Sequence, residues 1–365
     1  MYIKCFFKFV RVLVAIGLLA GIFIGVIIFS SPFPKGSVVV YPTGGLGNQM
    51  FQYSAAYSLA QKSNSKLYVV VSRKKAGKIM SSGRNFPLGQ FNIPQESIVY
   101  KDQISSWFVF KGIKLDWLLK QITNTSINKS LTVHLNQLNK ALKLLFNIVE
   151  INESNIFDYM SKKNEWILYN NDNFESEIYF KDVKSDILKI FTYKNIEDKK
   201  ILDLITQVNN TNSVCVHVRR GDMVNAPAFF LPIDYQKQAI ELVRKSIKNP
   251  KFFVFSDSPE MVKKELDNED SISFIVGNFW NDFVVMSKCK NIIIANSTFS
   301  WWAAYLNKNK YHLVIAPYPR VNDIFFKDVS DSKKATKRAL YKHHSYPKNW
   351  IMLEYASHTS KAGRS

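Results

Sequence analysis

The chain has 365 residues, 47% hydrophobic and 14% aromatic, with a formal charge of +20; this excludes a disordered segment and favours two domains over one compact core. Such a charge suits nucleic acid, an anionic membrane face or a polyanionic small molecule. Yet lysines run along the whole length with one dense cluster at Lys333–His344, and no zinc-finger spacing, RNP-like string or basic heptad region occurs, so nucleic acid is not expected as a partner.

At the amino terminus, Val12–Phe29 reads VLVAIGLLAGIFIGVIIF without a charge, close to the roughly 20 residues of a spanning helix. Lys4, Lys8 and Arg11 precede it and only Lys35 follows closely, which leaves residues 1–11 in the cytosol and the rest across the membrane. A cleaved signal peptide would have a shorter apolar region and a small-residue cleavage site, and SSPFPKG is a weak one. The expectation is a single-pass type II membrane protein: a tail at 1–11, an anchor at 12–29 and a stem at 30–36. With the bulk lumenal, the triplets at Asn124, Asn128, Asn152 and Asn209 become candidate N-glycosylation sites.

A first α/β domain is expected over 37–205. Val38–Tyr41 reads as a strand, Gly44, Gly45 and Gly47 as a turn, and Met50, Tyr53, Tyr57 and Ala60 as one helical stripe. Leu67–Val71 supplies the next strand of a βαβ unit. From Tyr100 to Phe191 the pattern blurs, apart from an amphipathic helix with Leu135, Leu138, Leu142, Leu145 and Val149 on one face. GGLGNQ lacks the lysine of a P-loop and fails the spacing of G-x-G-x-x-G, but Asn48 and Gln49 stand at a helix start where they can donate to a ligand.

The second domain, 206–350, alternates strands (Val214–Val218, Phe252–Phe255, Ile272–Val276, Ile292–Ala295, Leu313–Ala316) with helices (Asp234–Lys248 capped by Asp234, Pro259–Leu266, Asp282–Lys288, Thr298–Leu306). This predicts an open parallel sheet, followed by a tail at 351–365. Ligands of such sheets bind at the carboxyl ends of the strands. His217, Arg219, Arg220 and Asp222 stand at the end of the first strand, Ser256 and Asp257 at the end of the second, and Asn296, Ser297 and Thr298 after the fourth. Two adjacent guanidinium forks suit a phosphate, and a helix start favours one too. Singly, each has a plainer explanation: a surface arginine pair, a cap at Asp257, a cap at Asn296–Thr298. Convergence at one edge favours a nucleotide-diphosphate pocket. Cys5, Cys215 and Cys289 exclude a disulfide-stapled scaffold and a CxxC metal site, and a bridge between Cys215 and Cys289 stays open. Neither H-E-x-x-H nor D-x-D occurs, so no metal is expected.

The strings GGLGNQMFQYSAAYSLA, HVRRGD, FFVFSD and DFVVMSKCKNIIIANSTFSWWAAYL, with ESEIYF at Glu175–Phe180, resemble in order the α-1,2-fucosyltransferase family of inverting glycosyltransferases (glycosyltransferase family 11). The resemblance implies two Rossmann-like domains facing a cleft (GT-B type). It also implies GDP-β-L-fucose as donor substrate without a metal or other cofactor, and transfer to the 2-hydroxyl of a galactose-terminated glycan. By that likeness Arg219 holds the β-phosphate, His217 lies near the nucleoside, Ser297 and Thr298 border the phosphates and Asn48 faces the reacting centre. The expected donor-binding set is His217, Arg219, Arg220, Asp257, Asn296, Ser297, Thr298, Gly45 and Gly47; the catalytic set is Arg219, Asn48 and Asp222, with Asp222, Asp257 and the leaving phosphate all open as the base that takes the acceptor proton. The chain departs from the family pattern at Ser258, Met261 and Asp234–Gln236, beside the donor pocket.

Overall fold

A computed structural model describes residues 33–34, 36–71, 87–100, 148–153, 155–156, 166–169, 172–193, 196–266, 271–309, 312–321, 325, 338, 340–341 and 344–355. The expected tail and anchor (1–29), Asn124, Asn128 and the leucines at 135–145 lie outside them. Among the described residues no helix is long and apolar enough to cross a membrane.

The chain divides into two compact units, one of Met1–Pro42, Leu59–Phe86 and Pro94–Asp172, the other of Thr43–Ser58, Pro87–Ile93 and Asn173–Ser365. The division is not the single cut at 205/206 drawn from the sequence: the glycine turn, the first half of the helix after it and residues 173–205 pack with the second unit.

In the first unit, β1 (Val38–Val40), β2 (Leu67–Val71), β3 (Ile98–Tyr100), β4 (Ile148–Ile151) and β5 (Trp166–Tyr169) form a parallel sheet in the order β3-β2-β1-β5-β4. Val38, Val39 and Val40 are all buried, as befits a central strand covered on both faces. Val149 therefore lies in a strand and not on the helix expected to end there; the β-branched run Ile148-Val149 with Ile151 outweighs the leucine spacing before it.

The second unit carries a six-stranded parallel sheet in the order β11-β10-β9-β6-β7-β8. Its strands are β6 (Asn212–Val218), β7 (Pro250–Ser256), β8 (Ile272–Ile275), β9 (Asn291–Ile293), β10 (Val314–Tyr318) and β11 (Ile351–Glu354). The last is a strand within the expected tail. The helices are α1 (Leu46–Lys62), whose first half belongs here, α2 (Lys184–Ile190), α3 (Lys199–Asn210), α4 (Ile233–Ser246), α5 (Pro259–Glu265), α6 (Phe279–Met286) and α7 (Thr298–Tyr305). Helix α4 follows Pro232 with no side-chain cap, so Asp234 sits in its first turn rather than capping it.

Residues of β6 alternate between two cores. Val214, Val216 and Val218 face Tyr235, Ala239 and Val243 of α4, where the Tyr235 hydroxyl donates to the carbonyls of Ile294 and Ile315 at 2.9 and 3.0 Å. The opposite layer is aromatic. Trp301 and Trp302 are both fully buried, and Phe51 of α1 packs on them with ring centroids 4.6 and 5.0 Å away. Adjacent helical positions are both buried here because aromatic partners surround α7: Phe180 stacks on Trp302, and the Trp301 indole N–H donates to the Ser345 carbonyl at 2.8 Å. Cys215 and Cys289 are buried free thiols, and no bridge joins them.

Candidate active site

The strand order reverses at β6: β7 and β8 follow on one side, while the chain returns to place β9 on the other. A topological switch point opens a crevice at the carboxyl ends of the two strands that flank it. The register puts Val218 beside Ser256 and Val216 beside Ile293, so the segments after β6, β7 and β9 emerge side by side. The residues expected from the sequence are gathered at that edge, but they do different things.

Arg219 and Arg220 leave the strand in opposite directions, as consecutive extended residues must. Arg219 donates Nη1 to Asp257 Oδ2 at 2.9 Å and Nη2 to Asp222 Oδ1 at 2.5 Å, and its side chain keeps 27% exposure. Asp257 is held in place, since its Oδ1 also accepts the Arg220 backbone N–H at 2.8 Å. Asp222, on the short 3-10 turn Gly221–Asn225, is 68% exposed and has no such tie. One leg of the clamp is thus fixed, while the other is an exposed ion pair of a kind that contributes only about 0–1 kcal/mol.

Arg220 is held differently from Arg219. Its fully buried guanidinium donates Nε to Glu265 Oε2 at 2.8 Å and Nη1 to the carbonyls of Leu231 and Arg219 at 3.0 and 3.1 Å, and lies over the Phe230 ring. It faces inward and ties β6 to α5 and to the loop before α4, while its Nη2 finds no hydrogen-bond partner among the described residues. Asp257 caps no helix; it joins the ends of β6 and β7, while Ser258 Oγ accepts the Gly221 N–H at 3.3 Å. The Asn296 amide donates to the Phe229 carbonyl at 2.7 Å, which makes it a loop tie.

His217 is buried, with its ring 5.8 Å from that of Phe299. Burial, reinforced by the Arg219 charge, lowers its pKa to about 3, so the imidazole is neutral at any working pH. Its Nδ1 finds no partner among the described residues. Asp282, near the start of α6, is a second titratable group that sequence reasoning treated only as a helix start: burial pushes its carboxyl up to about 7.

Two helix starts meet beside these residues. Ser297 caps α7 by accepting the Phe299 N–H at 3.2 Å, and Thr298 donates its hydroxyl to Asn48 Oδ1 at 2.6 Å. Only a glycine permits that approach, because a Cβ on Gly47 would sit 2.4 Å from the carbonyl carbon of Thr298. Gly44 takes φ +76°, Gly45 accepts the Gln49 N–H at 3.1 Å, and Gln49 Nε2 donates to the Gly44 carbonyl at 3.0 Å. The glycine turn therefore delivers Asn48 to the start of α7, and first-turn N–H groups of both helices gather there as a partial positive charge. Among the described residues, no group of three His, Cys, Asp or Glu side chains could hold a metal ion. Of the other candidate modification sites, Asn209 is exposed at the end of α3, while the Asn152 N–H donates to Asn155 Oδ1 at 2.8 Å.

Several known glycosyltransferases are similar to this chain in sequence. An alpha-1,2-colitosyltransferase of Escherichia coli is 32% identical over 77% of this chain and 91% of its own length. The O-antigen biosynthesis glycosyltransferase WbnK of Escherichia coli is 28% identical over 75% of this chain and 92% of its own. The human galactoside alpha-(1,2)-fucosyltransferase 1 is 22% identical over 74% of this chain and 66% of its own. The family model described as glycosyl transferase family 11 matches residues 108–351, more than half of the sequence and including every residue built around Arg219; the chain belongs to that family.

Proposed function

We propose that this glycosyltransferase moves L-fucose from GDP-β-L-fucose to the 2-hydroxyl of a galactosyl residue, with inversion, to form an α-1,2 linkage. The observation that carries the reading is the Arg219 guanidinium, aimed at the switch point of the sheet by Asp257 and held on its other side by an exposed carboxylate. The relatives add the linkage and the acceptor class through their names, alpha-1,2 in one and galactoside alpha-(1,2) in another.

In this reading the diphosphate displaces Asp222 from Arg219. As the glycosidic bond to GDP breaks, charge builds on the departing phosphate, and Arg219 with the first-turn N–H groups of α7 neutralises it without reorganising. Thr298 and Asn48, hydrogen-bonded to one another, border the reacting centre. Asp222, released from its pair, accepts the proton of the acceptor hydroxyl. His217 is neutral and serves as an uncharged wall near the nucleoside. Arg219 supplies the charge that a bound metal supplies in other sugar-nucleotide enzymes, and the reaction is expected to proceed without one. Residues 12–29 are proposed to anchor the protein as a single-pass type II membrane protein, in a eukaryotic cell with its catalytic part in the Golgi lumen.

The test is residues 36–365 with GDP-fucose and lactose, with and without EDTA. A trisaccharide of α-1,2 linkage formed equally in both supports donor, linkage and metal independence; no transfer to any galactoside refutes the reading. A second reading, transfer of a colitosyl residue, is favoured by the 32% identity to an alpha-1,2-colitosyltransferase. A colitosyl donor in the same assay separates the two, because the preferred donor gives the higher kcat/KM.

A further inference from the structure

Four polar side chains that the site leaves unexplained, Arg320 and Gln52 buried and Glu175 and Asn173 half-buried, form one hydrogen-bonded chain in the second unit. Arg320, 2% exposed, donates Nη2 to Glu175 Oε2 at 2.7 Å and Nη1 to the Glu175 carbonyl at 3.2 Å. Asn173 Nδ2 donates to Glu175 Oε1 at 3.0 Å, and Gln52 Nε2 donates to Asn173 Oδ1 at 3.2 Å. Gln52 Oε1 then accepts the Thr43 backbone N–H at 2.8 Å. Thr43 leads directly into Gly44, with φ +76°, and so into the turn that sets Asn48 against Thr298.

The direction of every bond in this chain follows from its charged end. A guanidinium only donates and an ionised carboxylate only accepts. Both Glu175 oxygens are therefore acceptors, so Asn173 turns its NH2 towards Glu175 and its oxygen towards Gln52. Gln52 must answer with its own NH2, which leaves its oxygen for Thr43. An inverted Gln52 would set NH2 against N–H, two donors facing each other, and the Thr43 N–H would lose its side-chain acceptor.

We propose that Arg320 and Glu175 are positioning residues that fix the glycine turn, and through it the Asn48–Thr298 contact, by setting the orientation of the Asn173 and Gln52 amides. The role for Asn48 rests on the functional reading above; the orientation of the chain does not. Glu175→Gln changes one atom yet reverses the chain. The new amide oxygen must face Arg320, its NH2 faces Asn173, both amides invert, and Thr43 loses its acceptor. Adding Gln52→Glu returns an acceptor to Thr43 and accepts from the inverted Asn173.

The experiment compares wild type, E175Q, Q52E, the double variant and Q52M, the last a change of similar volume that cuts the chain without unpairing Arg320. Hydrogen exchange over residues 43–48 and transfer kinetics with GDP-fucose and lactose are read in each. E175Q and Q52M are expected to speed exchange at Thr43 and lower kcat roughly ten-fold each, the equivalent of one hydrogen bond, with KM for the donor little changed. The double variant should recover both. Unchanged exchange in E175Q and Q52M, or a double variant as impaired as E175Q, overturns the proposal. If wild type transfers no fucose, the functional reading fails, while the exchange data still decide the chain.

Discussion

Gly47→Ala is the most searching perturbation of the site, because two opposed effects can be weighed. Gly47 lies in the first turn of α1 with ordinary helical backbone, so alanine gains up to about 1 kcal/mol in helix propensity. Against this, the new methyl would stand 2.4 Å from the Thr298 carbonyl carbon, 2.5 Å from its oxygen and 2.7 Å from the Phe299 nitrogen. These are backbone atoms, so no rotamer relieves them. Ordinary contact begins near 3.4 Å, so the helix starts must separate by about 1 Å (3.4 − 2.4). Overpacking of this kind costs about 1–3 kcal/mol, and a fixed backbone neighbour puts it at the upper end. The net expectation is a loss of about 1–2 kcal/mol, a fall in Tm of roughly 2–8 °C for a unit of this size. A 1 Å displacement of groups at the reacting centre lowers turnover on the order of 100-fold. Thermal unfolding by circular dichroism and initial rates with GDP-fucose and lactose measure both. A variant with unchanged or raised Tm and near-normal turnover would refute the close approach and the role given to the two helix starts.

Other outcomes follow from the same geometry. Asp222→Asn removes the exposed competitor for Arg219, so calorimetry should find GDP bound about two- to five-fold more tightly, in line with the small value of an exposed pair, while transfer slows; weaker GDP binding would contradict the exchange of partners. Arg220→Lys keeps the charge but not the simultaneous bonds to Glu265 and two carbonyls, so it should destabilise the second unit by about 2–3 kcal/mol. Its GDP affinity, measured below the unfolding temperature, should fall less than that of Arg219→Ala; the reverse order would make Arg220 the ligand. Asp282 predicts a pH effect of definite sign. Its carboxyl ionises near 3.8 when unfolded but at about 7 when folded, so rising pH favours the unfolded chain across that interval. Asp282→Asn should therefore raise Tm more at pH 8 than at pH 5, and parallel Tm–pH curves would remove the buried carboxyl from the account.

The carboxyl edge of the second sheet was legible because each of its parts is local. An apolar β-branched run followed by polar residues marks a strand end, as at Val218–Arg219 and at Ile294–Asn296, and parallel alternation brings such ends together. What a side chain does at that edge depends on one residue of phase. Arg219 and Arg220 look equivalent as a string, yet one turns to the crevice and the other into the core, where Glu265 meets it from 45 residues away. The partners of Asp257 and Asn296 were hidden for the same reason: backbone groups of distant loops leave no mark on composition. The Gln52–Asn173–Glu175–Arg320 chain could not have been foreseen, since its members are ordinary surface types far apart in sequence. The only signal was ESEIYF, recognised as a string without a role. Strand β11 was missed because Ile351 and Met352 lie mostly exposed on a sheet edge, with none of the alternation that marks a half-buried strand. At Val149 a helical spacing of leucines continued into a β-branched run, and the strand prevailed.

In the proposed reaction the Arg219 guanidinium neutralises the charge developing on GDP as it departs. The measurement that bears on it most directly is kcat/KM for fucose transfer by Arg219→Ala, with folding verified by an unchanged unfolding profile. Loss of a charge-assisted contact to developing charge is worth about 3 kcal/mol, so the variant should fall on the order of 100-fold or more below wild type. Turnover close to wild type in a folded Arg219→Ala protein would contradict the account.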